Sequence, residues 1–182
     1  IKVDSSVVLV NFNTDHYLKY YLPSLLTFNH VIVKIDYKGE TYFIDATNRD
    51  EFGLIENRGF IYFMHYLEVK PNQDLQIKKS HRFPYYGINE KADFNIEKNI
   101  GKLVLTTTYK GNRANYMRKY FKNTNKREII DSWNNFFFYT LNYNNDRNGT
   151  DVRNIFKDTS IETLSDDKQL NEYTIQYKAT IE

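Results

Sequence analysis

The chain has 182 residues, 41% hydrophobic and 26% charged, enough to bury a core as one large domain or two small ones. Its net charge of +2 lacks the strong, clustered basicity of a nucleic-acid or membrane-surface protein, and no apolar run reaches the ~20 residues of a membrane span. The absence of cysteine excludes disulfides and Cys-based zinc sites within these residues, and 16% aromatic residues suit a strand-rich protein.

In chain order, Ser5 to Phe12 reads as a buried strand ended by the turn formers Asn13-Thr14-Asp15. His16 to Leu22 fits one or two helical turns before Pro23, with His16 a loop residue rather than a catalytic one. Val31, Val33 and Ile35 then alternate with Ile32, Lys34 and Asp36, and Tyr42, Ile44 and Ala46 alternate with Phe43, Asp45 and Thr47. That is the period-two pattern of two half-buried strands, joined by a turn at Tyr37-Lys38-Gly39-Glu40.

The register of this hairpin decides whether it carries chemistry. A two-residue connection at Lys38-Gly39 sets Tyr37 opposite Glu40, Ile32 opposite Asp45 and His30 opposite Thr47. His30 and Asp45 then share a face as diagonal neighbours about 7–8 Å apart at the backbone, within reach of an imidazole and a carboxylate. An odd loop would separate them. The even register also gathers Val31, Val33, Ile35, Tyr42, Ile44 and Ala46 on the other face, which the pattern predicts to be the buried one. A histidine held by an aspartate is the orienting half of a nucleophilic triad, although from spacing alone such a pair is more often an incidental surface pair.

The stretch L-P-S-x-x-x-F-N-H-V-I-V (22–33), followed by Y-F-I-D-A-T (42–47), resembles the histidine and aspartate strands of bacterial transglutaminase-like domains. These belong to the papain-like superfamily of cysteine acyltransferases and proteases. The closest resemblance is to those fused to uncharacterised, mostly β domains in Bacteroidetes-type extracytoplasmic proteins. It covers roughly residues 1–65 and implies that His30 is the base and Asp45 its orienting partner. Asn29 belongs to the motif without a role that the residues reveal. The resemblance also sets the polar loop 48–53 near the cleft, which makes Arg49 a candidate for substrate contact, although exposed loop charge accounts for it too. Family members carry a nucleophilic cysteine at the start of a helix upstream of these strands. With no cysteine, the chain is either a fragment or a member that lost its nucleophile; strands at both ends that read as cut favour a fragment, inert by itself, whose thiol and oxyanion donor lie upstream of Ile1.

Gly59 to Met64 is expected to close the first domain with a strand, with His65 structural, and a further strand is expected around Leu75 to Lys78. Polar sequence with Pro71-Asn72 places the boundary near 70–73, dividing the chain into 1–70 and 71–182. His81 to Gly87 reads as irregular. Ala92 to Glu97 and Gly101 to Tyr109 form a hairpin about Lys98-Asn99-Ile100-Gly101. The following Y-x-G-x-x-A-x-x-x-R, Tyr109 to Arg118, is similar to the β domain of the same proteins. Arg113, Arg118, Lys119, Lys122, Lys126 and Arg127 read as a solvated basic face rather than a nucleic-acid patch. Asn125, three residues before Glu128, has capping-box spacing, and Ile129, Ile130, Trp133, Phe136, Phe137 and Leu141 follow at helical spacing. Asn142 to Thr150 is a polar loop containing the sequon Asn148-Gly149-Thr150. Strands at Ile155 to Leu164 and Tyr173 to Ile181 end the chain, the last with Tyr173, Ile175, Tyr177, Ala179 and Ile181 on one packed face.

The sequence therefore predicts a strand-dominated α+β protein: part of a transglutaminase-like antiparallel sheet, then a second antiparallel domain with one packed helix near 126–140. The expected activity is acyl transfer or amide hydrolysis on a protein or peptide substrate, through His30, Asp45 and an upstream cysteine. No cofactor or metal is implied, nor a nucleic-acid partner, and the resemblance implies an extracytoplasmic location. The alternative is a non-catalytic extracytoplasmic module that binds protein or polysaccharide through its aromatic surfaces.

Overall fold

The computed structural model describes residues 3–22, 24–59, 61–79, 87–141 and 155–181. Pro23, Phe60, the irregular stretch at 81–86 and the loop with its Asn148-Gly149-Thr150 sequon lie outside them, as does the side chain of Leu141. The protein is strand-dominated α+β, with antiparallel sheets in two units: Ile1–Glu51 with Gly59–Pro84, and Phe52–Arg58 with Tyr85–Glu182. The division thus falls later than the expected 70–73, because the strand at Gln76–Ile77 pairs with His65–Glu68 and stays with the first unit. A seven-residue loop, 52–58, belongs instead with the second unit.

The first unit is a five-stranded sheet in the order β3-β2-β1-β4-β5. Its strands are β1 (Asp4–Val10), β2 (His30–Tyr37), β3 (Glu40–Ile44), β4 (His65–Glu68) and β5 (Gln76–Ile77). The apolar run Gly59 to Met64 forms no strand among its described residues; the strand begins at His65, and Phe63 enters the core as a loop residue. The core face is also the reverse of the expected one. Val8, Val10 and Ile32 are completely or almost completely buried against Phe43, Phe63 and Tyr66, whereas Val7 and Val31 are about half exposed. The rings of Phe43, Phe63 and Tyr66 meet edge to face with centroids 4.8 to 6.3 Å apart. This aromatic cluster has more area to bury than the β-branched residues opposite, so it decides which side faces inward. Asp15, in a short 3-10 turn (Asp15–Tyr20), accepts from the backbone N–H groups of Met64 (2.6 Å) and His65 (2.8 Å) and ties the start of β4 down. His65 is buried beside it, a structural residue.

The second unit is a four-stranded sheet, β6-β7-β9-β8, made of β6 (Gly87–Glu97), β7 (Ile100–Lys110), β8 (Phe156–Asp167) and β9 (Glu172–Ile181). Lys98 and Asn99 both have positive φ, the two-residue turn that suits the twist of a hairpin. Two helices, not one, cover the sheet: α1 (Asn112–Asn123) and α2 (Lys126–Leu141). Asn125 caps α2 as expected, its Oδ1 accepting from the N–H of Glu128 at 2.9 Å. On β9, Tyr173, Ile175, Tyr177 and Ala179 are buried in a core shared with Met117, Ile129 and Phe156. Phe136 of the expected helical stripe is instead exposed, and Asn134 is buried, accepting a 2.6 Å hydrogen bond from the Tyr177 hydroxyl.

The tyrosine-to-arginine motif has a packing explanation. Tyr109 is buried at the end of β7, Gly111 takes φ 57° and ψ −129° to start α1, and Ala114 is completely buried in the core of the unit. Arg118 is buried too, so it departs from the solvated basic face, while Arg113, Lys119, Lys122, Lys126 and Arg127 are exposed. Its Nε donates to Asp166 (2.6 Å), Nη1 to the Oδ1 atoms of Asn115 (3.1 Å) and Asn171 (2.6 Å), and Nη2 to the carbonyls of Asp167 (3.2 Å) and Glu172 (2.9 Å). The loop 52–58 joins this hub. Phe52 lies against the guanidinium (5.1 Å), its N–H donates to Asn115, and Asn171 donates to the carbonyl of Asn57.

Candidate functional site

The β2–β3 hairpin has the even register. Tyr37 pairs with Glu40 and Val33 with Ile44, the turn being made at positive φ by Lys38 (52°) and Gly39 (80°). Continued past the last ladder pair, the same register brings Ile32 opposite Asp45, so the imidazole at the start of β2 and the carboxylate just after β3 emerge on one face. They meet: His30 Nε2 lies 2.9 Å from Asp45 Oδ2. The side chains are 25% and 17% exposed, so the pair is sheltered yet open to solvent.

Each partner is held by neighbours. Asp45 Oδ1 accepts from both the N–H (2.9 Å) and the hydroxyl (2.6 Å) of Thr47, a local Asx-type turn that leaves Oδ2 for the imidazole. Partial burial works against ionisation of this carboxyl, but the Thr47 hydrogen bonds and His30 outweigh it and hold it below the usual aspartate value. The ring of Phe12 packs on the imidazole with centroids 4.8 Å apart. Asn29 has the role that the sequence left open: its Oδ1 accepts from the N–H of Phe12 and its own N–H donates to the carbonyl of Val10, joining the end of β1 to the start of β2. Asn11 secures the same corner by donating to the carbonyl of Thr27 (2.7 Å) and accepting from the N–H groups of Asn13 and Thr14.

Asp45 occupies Nε2, so the nitrogen available for proton transfer is Nδ1, which makes no hydrogen bond among the described residues. This is the opposite polarity to the chymotrypsin arrangement, in which the aspartate takes Nδ1 and the nucleophile Nε2. Arg49 and His16 are exposed, and neither makes a hydrogen bond or ion pair to His30 or Asp45. Thr47 and Phe12 were missed from the sequence. The spacing Asp-x-Thr could have signalled Thr47, whereas Phe12 comes from the turn after β1 and has no local signature.

No group of His, Cys, Asp or Glu among the described residues could hold a metal ion. A second charged cluster is satisfied internally: Lys34 bonds Glu68 at 2.6 Å, and Lys70 reaches the other Glu68 oxygen at 2.9 Å. A cavity of about 520 Å³ opens on the reverse face, lined by Leu9, Leu18, Leu22, Phe28, Leu67 and Leu75 among others, and neither His30 nor Asp45 borders it. No family model, curated protein or solved structure matches the chain.

Proposed function

We propose that His30 and Asp45 are the base and the orienting partner of a transglutaminase-like acyl-transfer centre, completed by a cysteine thiol that residues 1–182 do not contain. One observation carries the reading: the imidazole and the carboxylate lie 2.9 Å apart, with the second carboxylate oxygen already fixed by Thr47. In this reaction Nδ1 of His30 takes the thiol proton. The thiolate attacks an amide carbonyl, and the imidazolium returns the proton to the departing amine as the carbon–nitrogen bond breaks. A thioester remains. An incoming amine or water, deprotonated by His30, resolves it and regenerates the thiol, while Asp45 stabilises the imidazolium in both halves. Protein side-chain amides or peptide bonds are the substrate class, in an extracytoplasmic setting. A second reading, a binding module without catalysis, draws support from exposed aromatics such as Tyr116, Phe136 and Tyr139 on the helices.

The test starts from the encoded sequence upstream of Ile1. A cysteine opening a helix is expected; its absence favours the binding module. In the full chain a thiol-directed alkylating probe should label that cysteine rapidly near neutral pH, and His30→Ala should slow labelling. Asp45→Ala should reduce amide turnover by about 10³- to 10⁴-fold while the fold persists. Labelling unchanged in His30→Ala, or turnover unchanged in Asp45→Ala, would refute the assignment.

A further inference from the structure

The second unit ends at a long strand edge. Among the described residues no strand pairs with the outer side of β6, and ten of its eleven residues are exposed. Because Glu97 and Ile100 flank a two-residue turn, they form a hydrogen-bonded pair, and the alternation then directs the backbone groups of Ile88, Glu90, Ala92, Phe94 and Ile96 away from β7. The same residues line the sheet face that carries the core, since Ile88 pairs with Tyr109 and Phe94 with Leu103. Ile88 (45%), Phe94 (55%) and Ile96 (65%) remain exposed there, Phe94 lying over the space that a side chain at Gly101 would fill. A long edge with an apolar face and open backbone groups is a template for strand addition.

The sequence of β6 identifies what adds. Ile88-Asn89-Glu90-Lys91-Ala92-Asp93-Phe94-Asn95-Ile96 is nearly self-complementary when read against itself in reverse about Ala92. Isoleucine meets isoleucine, asparagine meets asparagine, and Lys91 meets Asp93. Ala92 is also the midpoint of the strand, Gly87–Glu97, so this register pairs all eleven residues. We infer that β6 docks antiparallel on β6 of a second copy of this chain, about a two-fold axis through Ala92, joining two four-stranded sheets into one.

The geometry has the right parity. Ala92 faces its symmetry mate as a hydrogen-bonded pair, with all the outward backbone groups used. On the apolar face Ile88 packs against the partner's Ile96 and Phe94 against the partner's Glu90; on the other face Lys91 and Asp93, which already contact each other within one strand at 3.0 Å, meet their opposites across the axis twice. A register centred on Asp93 would oppose like charges, and one centred on Phe94 would leave the first residues of β6 unpaired.

The test uses the 182-residue chain, which has no cysteine. Light scattering after size exclusion should show a concentration-dependent dimer. Directly opposed Cα atoms about 5.5 Å apart lie in disulfide range, so Ala92→Cys should oxidise to a covalent dimer, whereas Lys102→Cys on β7 should not. Asp93→Lys sets lysine against lysine at two places and should weaken dimerisation by about tenfold. Lys91→Asp with Asp93→Lys should restore it, a rescue that loss of folding could not produce. A chain that is monomeric at every concentration, a dimer indifferent to Asp93→Lys, or a dimer that the double exchange fails to restore would overturn the inference.

Discussion

Replacing Arg118 with methionine keeps most of the stem volume and removes all of the guanidinium donors from the hub that joins α1, the β8–β9 turn and loop 52–58. Asn171 is completely buried, so its orphaned Oδ1 costs about 2 kcal/mol, and the carbonyl of Glu172 adds about 1 kcal/mol. Asp166 is 34% exposed and can rehydrate, so its lost ion pair adds only about 1 kcal/mol. The sum, about 4 kcal/mol, falls within the range for breaking a buried pair from one side and is a large part of a domain's stability. Trp133 is the sole tryptophan and packs on the core of the same unit, so its fluorescence during urea unfolding reports this unit. At a slope of about 2 kcal/mol per molar, the midpoint should fall by roughly 2 M. In hydrogen exchange, the amides of Phe52 and Leu54, which bond to Asn115 and Gln169, should lose protection together. A midpoint shift worth less than about 1 kcal/mol would mean that water satisfies the abandoned acceptors and that the hub does not hold the loop.

Thr47→Val removes the 2.6 Å hydroxyl donor to Asp45 and should destabilise the first unit by about 1 kcal/mol at neutral pH. The folded carboxyl is depressed, so its stabilisation is present above the unfolded value near 3.9 and is lost as pH falls through the folded one; the deficit of the variant should therefore shrink in acid. Hydrogen exchange of β2 and β3 across a pH series measures this, and a deficit constant from neutral to acid would refute the linkage. Lys78, which bonds the carbonyl of Ile61 at 2.8 Å beside the ring of Phe63, is pushed down to about 8 by burial. Between about pH 8 and the free-lysine value the unfolded chain binds more protons, so protection of β4 should rise over that interval, and should do so less in Lys78→Met.

The hairpin was legible because its turn residues and both alternations are local. Lys38-Gly39 fixed the register, and the register alone brought His30 and Asp45 to one side. The buried face was not legible, because both faces of β1 and β2 carry apolar residues. The choice is made by Phe63 and Tyr66, some thirty positions beyond β2 and inconspicuous in period-two patterning. Arg118 failed for the same reason. On its helix it sits among cations that are solvated, and the acceptors that bury it lie 48 to 54 residues downstream. Loop 52–58 failed because composition marks a boundary only where the chain crosses once, and here it enters the second unit, returns and crosses again.

An incidental surface pair and a working histidine–aspartate pair can share a distance, and they differ in what constrains each end. An exposed ion pair gains little because two mobile side chains must be ordered at once. Here the ordering precedes the contact: Thr47 occupies Oδ1 with two donors, Asn29 anchors Phe12, and Phe12 covers one side of the imidazole. Asp45 can rotate away only by abandoning Thr47, and His30 only by leaving the Phe12 ring. To folding the Thr47 hydroxyl contributes about 1 kcal/mol, the amount of one ordinary hydrogen bond. The preorganisation as a whole fixes which imidazole nitrogen is occupied, and so which is left to accept a proton, a distinction that folding does not require and proton transfer does.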